Sequence, residues 1–260
     1  MKRGWRQAIA LTLALLAYSN GLAVWAMRRG AAADLAFQWT NPPCLLLRVL
    51  ALMRARREGL RAALQRAGYQ RAGAGRALAG GAVVGAVLAV PPLLLFARPI
   101  ILDGPLEYDP IGSLTPPAFR RRVLLELSLG VALFEETVFR GLLFDAWSRV
   151  APAQAAHGIT AATFAGWHLG VSVDTMRRTN IAASATRLPA PLRARANGLA
   201  ALGGMLSTAV AGLLFGAART WGRGSILGPA FAHWIVDALL VAAIYRRAQR
   251  ARPGASDTML

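Results

Sequence analysis

Residues 7–27, QAIALTLALLAYSNGLAVWAM, contain no charged side chain. About 20 apolar residues in helical form cross the hydrocarbon of a bilayer. Inside it every backbone N–H and C=O must find a partner within the segment or a closed barrel. A run this long and this uniform leaves the transmembrane helix as its natural fold. Five further segments repeat the pattern: 77–102, 123–147, 157–173, 198–218 and 225–245. The alternating runs of ~10 residues that a membrane β-barrel needs are not seen. With 55% hydrophobic residues, the chain is expected to be all-α, a polytopic membrane helix bundle with six clear spans. The opening MKRGWR resembles a secretory leader. Its apolar run is longer than such leaders carry and is followed at once by Arg28 and Arg29, so a retained first span is expected.

The formal charge is +18. A soluble protein of that charge would suggest nucleic acid, but here the arginines lie between the spans. Arg54, Arg56, Arg57, Arg61, Arg66, Arg71 and Arg76 fall in one connection, and Arg246, Arg247, Arg250 and Arg252 follow the last span. That distribution fits loops beside anionic lipid, and no nucleic-acid partner is expected. Leu60 and Leu64, four apart among these arginines, suggest an interfacial helix. Cys44 stands alone, which excludes an intrachain disulfide and a cysteine-based zinc site; it reads as a small apolar filler. Residues 1–250 are expected to form one membrane domain, with a disordered tail at 251–260. Counting back through six spans from a cytoplasmic C-terminus puts the basic 28–76 connection outside, against the positive-inside rule. A seventh or eighth membrane segment is therefore expected within residues 30–55.

Ionisable residues inside spans are costly and mark function by default. In FEETVFRG, residues 134–141, Glu136 and Arg140 are four apart with the glutamate first, the favourable order for a helical ion pair. Glu135 is left pointing elsewhere. FAGWH places His168 on a second apolar helix, and HWIVD places His233 and Asp237 one turn apart on a third. Each taken alone has a plain packing explanation. Together they bring a carboxylate and two imidazoles to membrane depth, the parts of a hydrolytic site. Gly81-x-x-x-Gly85 and Gly212-x-x-x-Gly216 read as helix-packing features.

The order EETVFR, FAGWH, HWIVD, each on an apolar helix, resembles the CPBP intramembrane protease family. This family includes the CAAX prenyl endopeptidases and Abi proteins. The resemblance covers residues 123–245, the motif-bearing core. It implies that Glu135 is the base activating water, with Glu136 and Arg140 as its supporting neighbours. It implies that His168 helps hold that water, and that His233 and Asp237 stabilise the oxyanion. Well-studied members carry Asn where this chain has Asp237, so a protonated Asp237 or an orienting role toward His233 is expected. Glu135, His168 and His233 would also suit catalytic Zn2+; a metal-free glutamic protease with no cofactor is the preferred expectation. The implied partners are the lipid bilayer and a membrane-associated protein or peptide substrate. The arginine-rich loops suggest a bacterial inner (cytoplasmic) membrane. Two alternatives remain from the residues themselves: a non-catalytic immunity or scaffold protein, and a proton-coupled transporter in which Glu135 and the histidines relay protons.

Overall fold

The computed structural model describes residues 2–32, 41, 43, 59–70, 73–97, 107–179 and 189–251. Cys44, the arginines at 54–57, most of the segment expected to hide a further span, and residues 252–260 of the expected tail lie outside the described residues. Among the described residues there is no β-strand; Tyr108 and Thr179 form an isolated bridge. The fold is all-α, as the apolar periodicity requires.

The helices are α1 (Lys2–Arg28), α2 (Leu60–Arg66), α3 (Ala74–Ala97) and the single turn α4 (Asp109–Gly112). Next comes α5, one uninterrupted helix over residues 116–148. It starts on Pro116 with Thr115 as its cap and is wound with π-type hydrogen bonds over Arg122–Leu133 and Thr137–Leu143. Then follow α6 (Ala153–Trp167), α7 (Leu169–Arg177), α8 (Ala190–Trp221) and α9 (Leu227–Arg250). Among the described residues four stretches are long and apolar enough to cross a membrane: Gly4–Arg28, Ala74–Leu94, Leu202–Trp221 and Leu227–Arg250. Two expected spans differ. The 123–147 segment lies within α5, but it carries Glu126, Glu135, Glu136, Arg140 and Asp145 and is too charged to count by composition. The 157–173 segment is broken at His168, and neither α6 nor α7 reaches the length of a span on its own.

The packing is tight where glycines allow it. A Cβ at Gly81 would lie 2.3 Å from Gly228 O, and one at Gly85 2.8 Å from Ala232 O. These two glycines seat α3 directly on the backbone of α9, as expected of the motif. Gly212 and Gly216 play the same part between α8 and α6, where their Cβ positions would meet Ala161 and His157. A central cluster of Phe134, Val138, Phe139, Leu143, Trp147, Phe164, Trp167 and Phe215 fills the space around α5. The outward faces of α3, α5 and α8 present leucines and valines such as Val83, Val87, Leu124, Leu129, Leu206 and Leu213, each more than half exposed or close to it. Apolar exposure of that extent is what a lipid-facing surface requires.

The bundle has two ends. At one, the start of α1 meets the end of α5 (Trp5 against Trp147), His157 of α6 meets Thr220 of α8, and Gly68 O accepts from Ile226 N–H. At the other, Arg178 donates to Gly30 O and Ala31 O, and Phe119 stacks on Tyr245. Both α1 and α3 therefore run from the first end to the second. α2 and the turn after it lie close to α5: the Tyr69 hydroxyl donates to Thr137 Oγ1 at 2.7 Å, and Thr137 passes its own proton to Leu133 O. Burial pushes the Tyr69 phenol up, so it remains a donor.

Candidate active site

The titratable residues of the three motifs, Glu135, Glu136, Arg140, His168, His233 and Asp237, converge on one cluster. Glu135 and Glu136 sit on successive positions of α5 and so leave it in directions ~100° apart. The pairing expected from spacing is present: Arg140 Nη1 donates to Glu136 Oε1 at 2.9 Å, with both side chains almost fully buried. Arg140 is held from two further sides. Its Nη2 donates to Gly212 O at 3.0 Å, and its guanidinium lies over the rings of Phe164 and Phe215, 4.3 and 5.1 Å from their centroids. Gly212 thus does more than pack helices. A side chain there would reach Arg140 Nη2, so the absent Cβ makes room for the guanidinium that neutralises Glu136.

Glu136 Oε1 also accepts from His233 Nδ1–H at 3.0 Å. With that proton fixed on Nδ1, the other ring nitrogen, Nε2, turns toward Asp237 Oδ2 at 3.5 Å and Glu135 Oε2 at 3.9 Å. His233 is stacked on Phe215, with ring centroids 5.3 Å apart, which sets the plane of the imidazole. His168 is oriented in the same manner. Its Nδ1–H donates to Phe164 O at 2.8 Å, because a carbonyl can only accept. Its Nε2 faces Glu135 Oε2 at 3.6 Å.

Glu135 therefore has two unlike oxygens. Oε1 accepts from Trp167 Nε1–H at 3.0 Å. Oε2 is buried, lacks a direct hydrogen bond, and is approached by both Nε2 atoms at 3.6 and 3.9 Å. Glu135 lines a cavity of about 230 Å³ with Trp167, His168, His233 and Asp237, and Leu127, Val131, Val171, Leu240 and Val241 are its apolar lining residues. Arg122, 4% exposed, lines it as well. Sequence reasoning named neither Trp167 nor Arg122. Trp167 adjoins His168 within the quoted FAGWH, but an indole in an apolar helix reads as packing until its N–H is seen to face a carboxylate.

The break between α6 and α7 belongs to the site. Where the helix stops at Trp167, its last carbonyls need donors. Phe164 O takes the His168 ring, Gly166 O takes Asn20 Nδ2 at 3.0 Å, and Trp167 O takes Ser19 Oγ. Asn20 Oδ1 in turn accepts from Gly170 N–H, the second residue of α7, at 2.9 Å. The small polar step YSN in the otherwise apolar α1 is thus the socket into which the His168 turn fits. Gly166 and Gly170 allow the approach: a Cβ on either would collide with Leu16 or Ala23 of α1.

Glu135, His168 and His233 are also the trio that would bind zinc. Among the described residues no group of three or more His, Cys, Asp or Glu side chains is arranged to hold a metal ion. The trio converges at 3.6–3.9 Å, and both imidazole Nδ1 atoms are bonded to protein oxygens.

The comparisons with known proteins agree with the motif order. No curated protein and no solved structure matches the chain. Residues 119–239 match the family described as Type II CAAX prenyl endopeptidase Rce1-like. This segment begins on α5 just before Arg122 and ends two residues beyond Asp237, so it contains the whole cluster, and the match supports the CPBP/CAAX protease family.

Proposed function

We propose that this chain is an integral membrane endopeptidase that hydrolyses a peptide bond of a membrane-associated protein or peptide, with Glu135 as the base. One observation carries the proposal: Glu135 Oε2 and His168 Nε2 face each other at 3.6 Å beside a cavity that both residues line, with no proton between them in their ordinary states. His168 has its proton on Nδ1, so both facing atoms are acceptors. A water placed between them donates to each and directs a lone pair outward, toward a substrate carbonyl. Attack then moves one water proton to Glu135, and the carboxyl can return it to the leaving amine. Trp167 holds Oε1 and so leaves Oε2 as the basic atom.

His233 is the electrophilic side. Its Nδ1–H is committed to Glu136, and a proton on Nε2 would point into the cavity at the developing oxyanion. Donors fixed in advance at that point are worth several kcal/mol in acyl transfer. Asp237, beside Nε2, holds that proton in place or, if protonated, donates directly. Replacing Asp237 with Asn and with Ala separates these roles. Activity kept in Asn and lost in Ala supports hydrogen bonding; activity lost in both assigns the carboxylate charge.

The reading favours a glutamic, cofactor-free mechanism in a bacterial inner membrane. Full activity after exhaustive chelation is the expected outcome, and loss restored by Zn2+ would replace it with a metal mechanism. The central test is Glu135→Gln in purified, detergent-solubilised protein against a membrane-peptide library. Cleavage should fall roughly 10²–10⁴-fold, the usual weight of a general base, with the melting temperature held. Wild-type cleavage rates in the variant would refute the assignment.

A further inference from the structure

The short helix α2 buries none of its own residues, yet the turn that follows it is buried at Ala67 and Gly68. The sequence LQRAGYQ accounts for that turn. Gly68, at φ +92°, ends the helix in the left-handed region. Tyr69 N–H then donates to Leu64 O at 3.0 Å and Gly68 N–H to Gln65 O at 3.1 Å. This is the Schellman closure of a helix C-terminus, and it fixes the direction in which Tyr69 leaves the chain. The closed turn meets two other helices. Toward α5, a Cβ on Gly141 would lie 2.7 Å from Ala67 O, and the Tyr69 hydroxyl donates to Thr137 Oγ1 at 2.7 Å. Thr137 and Gly141 are four apart and share a face. Glu135, two residues before Thr137, points to roughly the opposite side at ~100° per residue. Toward α9, Gly68 O accepts from Ile226 N–H at 3.0 Å, and a Cβ on Gly68 would lie 2.6 Å from Ile226 Cγ2. Ile226 caps α9 and stands about two turns before His233, on the same face.

From this arrangement we infer that the 67–70 turn is a strap that positions the active site, with Tyr69 as its positioning residue. The strap backs α5 on the side away from Glu135, ties it to the start of α9, and so holds Glu136 at bonding distance from His233. The inference rests on the peptidase reading above and adds to it a residue outside the matched segment 119–239. The Glu136–His233 bond joins side chains of two different helices at 3.0 Å. Such a bond is gone by about 3.6 Å, so a shift of about 0.6 Å between α5 and α9 ends it. One rigid turn bonded to both helices removes that freedom. His168 is set from elsewhere: its Nδ1–H is held by Phe164 O, and its turn is held by Ser19 and Asn20 of α1. The strap therefore governs one imidazole of the site and leaves the other to α1.

With three histidines in the chain, the test is spectroscopic and does not depend on turnover. Full-length protein in detergent carries nitrogen-15 histidine. The ring nitrogens are read through their carbon-bound protons and assigned with His157→Gln and His168→Gln. Tyr69→Phe deletes only the hydroxyl. In it the His233 Nδ1 signal is expected to move toward that of an imidazole exchanging between its tautomers, while the His168 signals stay in place. Thr137→Val removes the other partner of the same bond and should give the same shift, with no further shift when Tyr69→Phe is added to it. Thr137→Ser keeps the hydroxyl and should keep the wild-type spectrum. Unmoved His233 signals in Tyr69→Phe overturn the proposal. Equal movement of the His168 signals also overturns it, since that marks a general loosening of the bundle. Hydrolysis of a membrane-peptide library is scored separately. In Tyr69→Phe kcat should fall about three- to tenfold, the weight of one hydrogen bond, with KM unchanged. Cleavage by the unaltered protein together with an unmoved His233 defeats this inference alone, and the His233 shift without any cleavage by the unaltered protein defeats the peptidase reading alone.

Discussion

The two oxygens of Glu135 have different neighbours, and the one hydrogen-bond donor among them is testable. Trp167 Nε1–H holds Oε1 at 3.0 Å, and Oε2 is left toward the histidines. Trp167→Phe keeps most of the ring and deletes the donor. A hydrogen bond to a charged acceptor is worth about 1.5–3 kcal/mol, and 1.36 kcal/mol is tenfold in rate, so kcat/KM should fall roughly 10–100-fold. Steady-state cleavage of any accepted peptide measures it, and unchanged kinetics would show that the indole bond does not position the base. The Glu136–Arg140 pair makes a different prediction. Removing one partner of a buried pair strands a charge and costs about 3–5 kcal/mol. Glu136→Gln should therefore lower the melting temperature sharply, and adding Arg140→Met should restore part of it. That pair was legible from its four-residue spacing. The donors around it were not: a backbone carbonyl such as Gly212 O carries no side-chain signature, and Trp167 and Arg122 acquire meaning only once α5, α6 and α9 are brought together.

Among the elements, the instructive one is the helix that does not continue. Residues 157–173 read as one apolar span, and nothing in their composition marks His168 as a break. The interruption depends on partners supplied by α1, more than a hundred residues away in sequence: Ser19 on Trp167 O, and Asn20 on Gly166 O and Gly170 N. The same separation made YSN look like harmless polarity inside a first span. Asn20→Ala leaves a carbonyl and an amide unsatisfied where water is scarce, at about 1–3 kcal/mol each. It should lower the melting temperature and reduce cleavage together, because the turn that fails is the one that aims His168. Asn20→Asp, which keeps the acceptor for Gly170 and loses the donor for Gly166, should fall between. A melting curve unchanged in Asn20→Ala would mean that the break holds itself open without α1. The seating of α3 on α9 was readable in advance, since Gly81 and Gly85 at four-residue spacing report a backbone approach that sequence alone can express.

The directions of the helices bear on the span count. α1 and α3 both run from the end that holds Trp147 and Ile226 to the end that holds Arg178 and Tyr245. The chain is at the second end at Gly30, bonded to Arg178, and back at the first end at Gly68, bonded to Ile226. Between them Asn41, fully buried, donates to Gly130 O and accepts from the Tyr18 hydroxyl, both near the middle of their helices. Asn41 itself thus lies at mid-depth, within the stretch where a further membrane segment is expected from the positive-inside rule. Hydropathy could not display it cleanly, because Arg48 interrupts the apolar run. A further crossing there would make the count odd, and the start of α1 and the end of α9 are then expected on opposite faces of the membrane. Single cysteines replacing Arg6, Arg121 and Arg250, in a Cys44→Ser background, test this in intact cells with a membrane-impermeant maleimide. Arg121 and Arg250 should be protected together and label only after lysis, since Arg120, Arg177, Arg178, Arg246 and Arg247 crowd that end and charge of this sign stays in the cytoplasm. The site at Arg6 should label from outside. Labelling of Arg6 and Arg250 from the same side would require an even count, and with it a different path for the chain between Gly30 and Gly68.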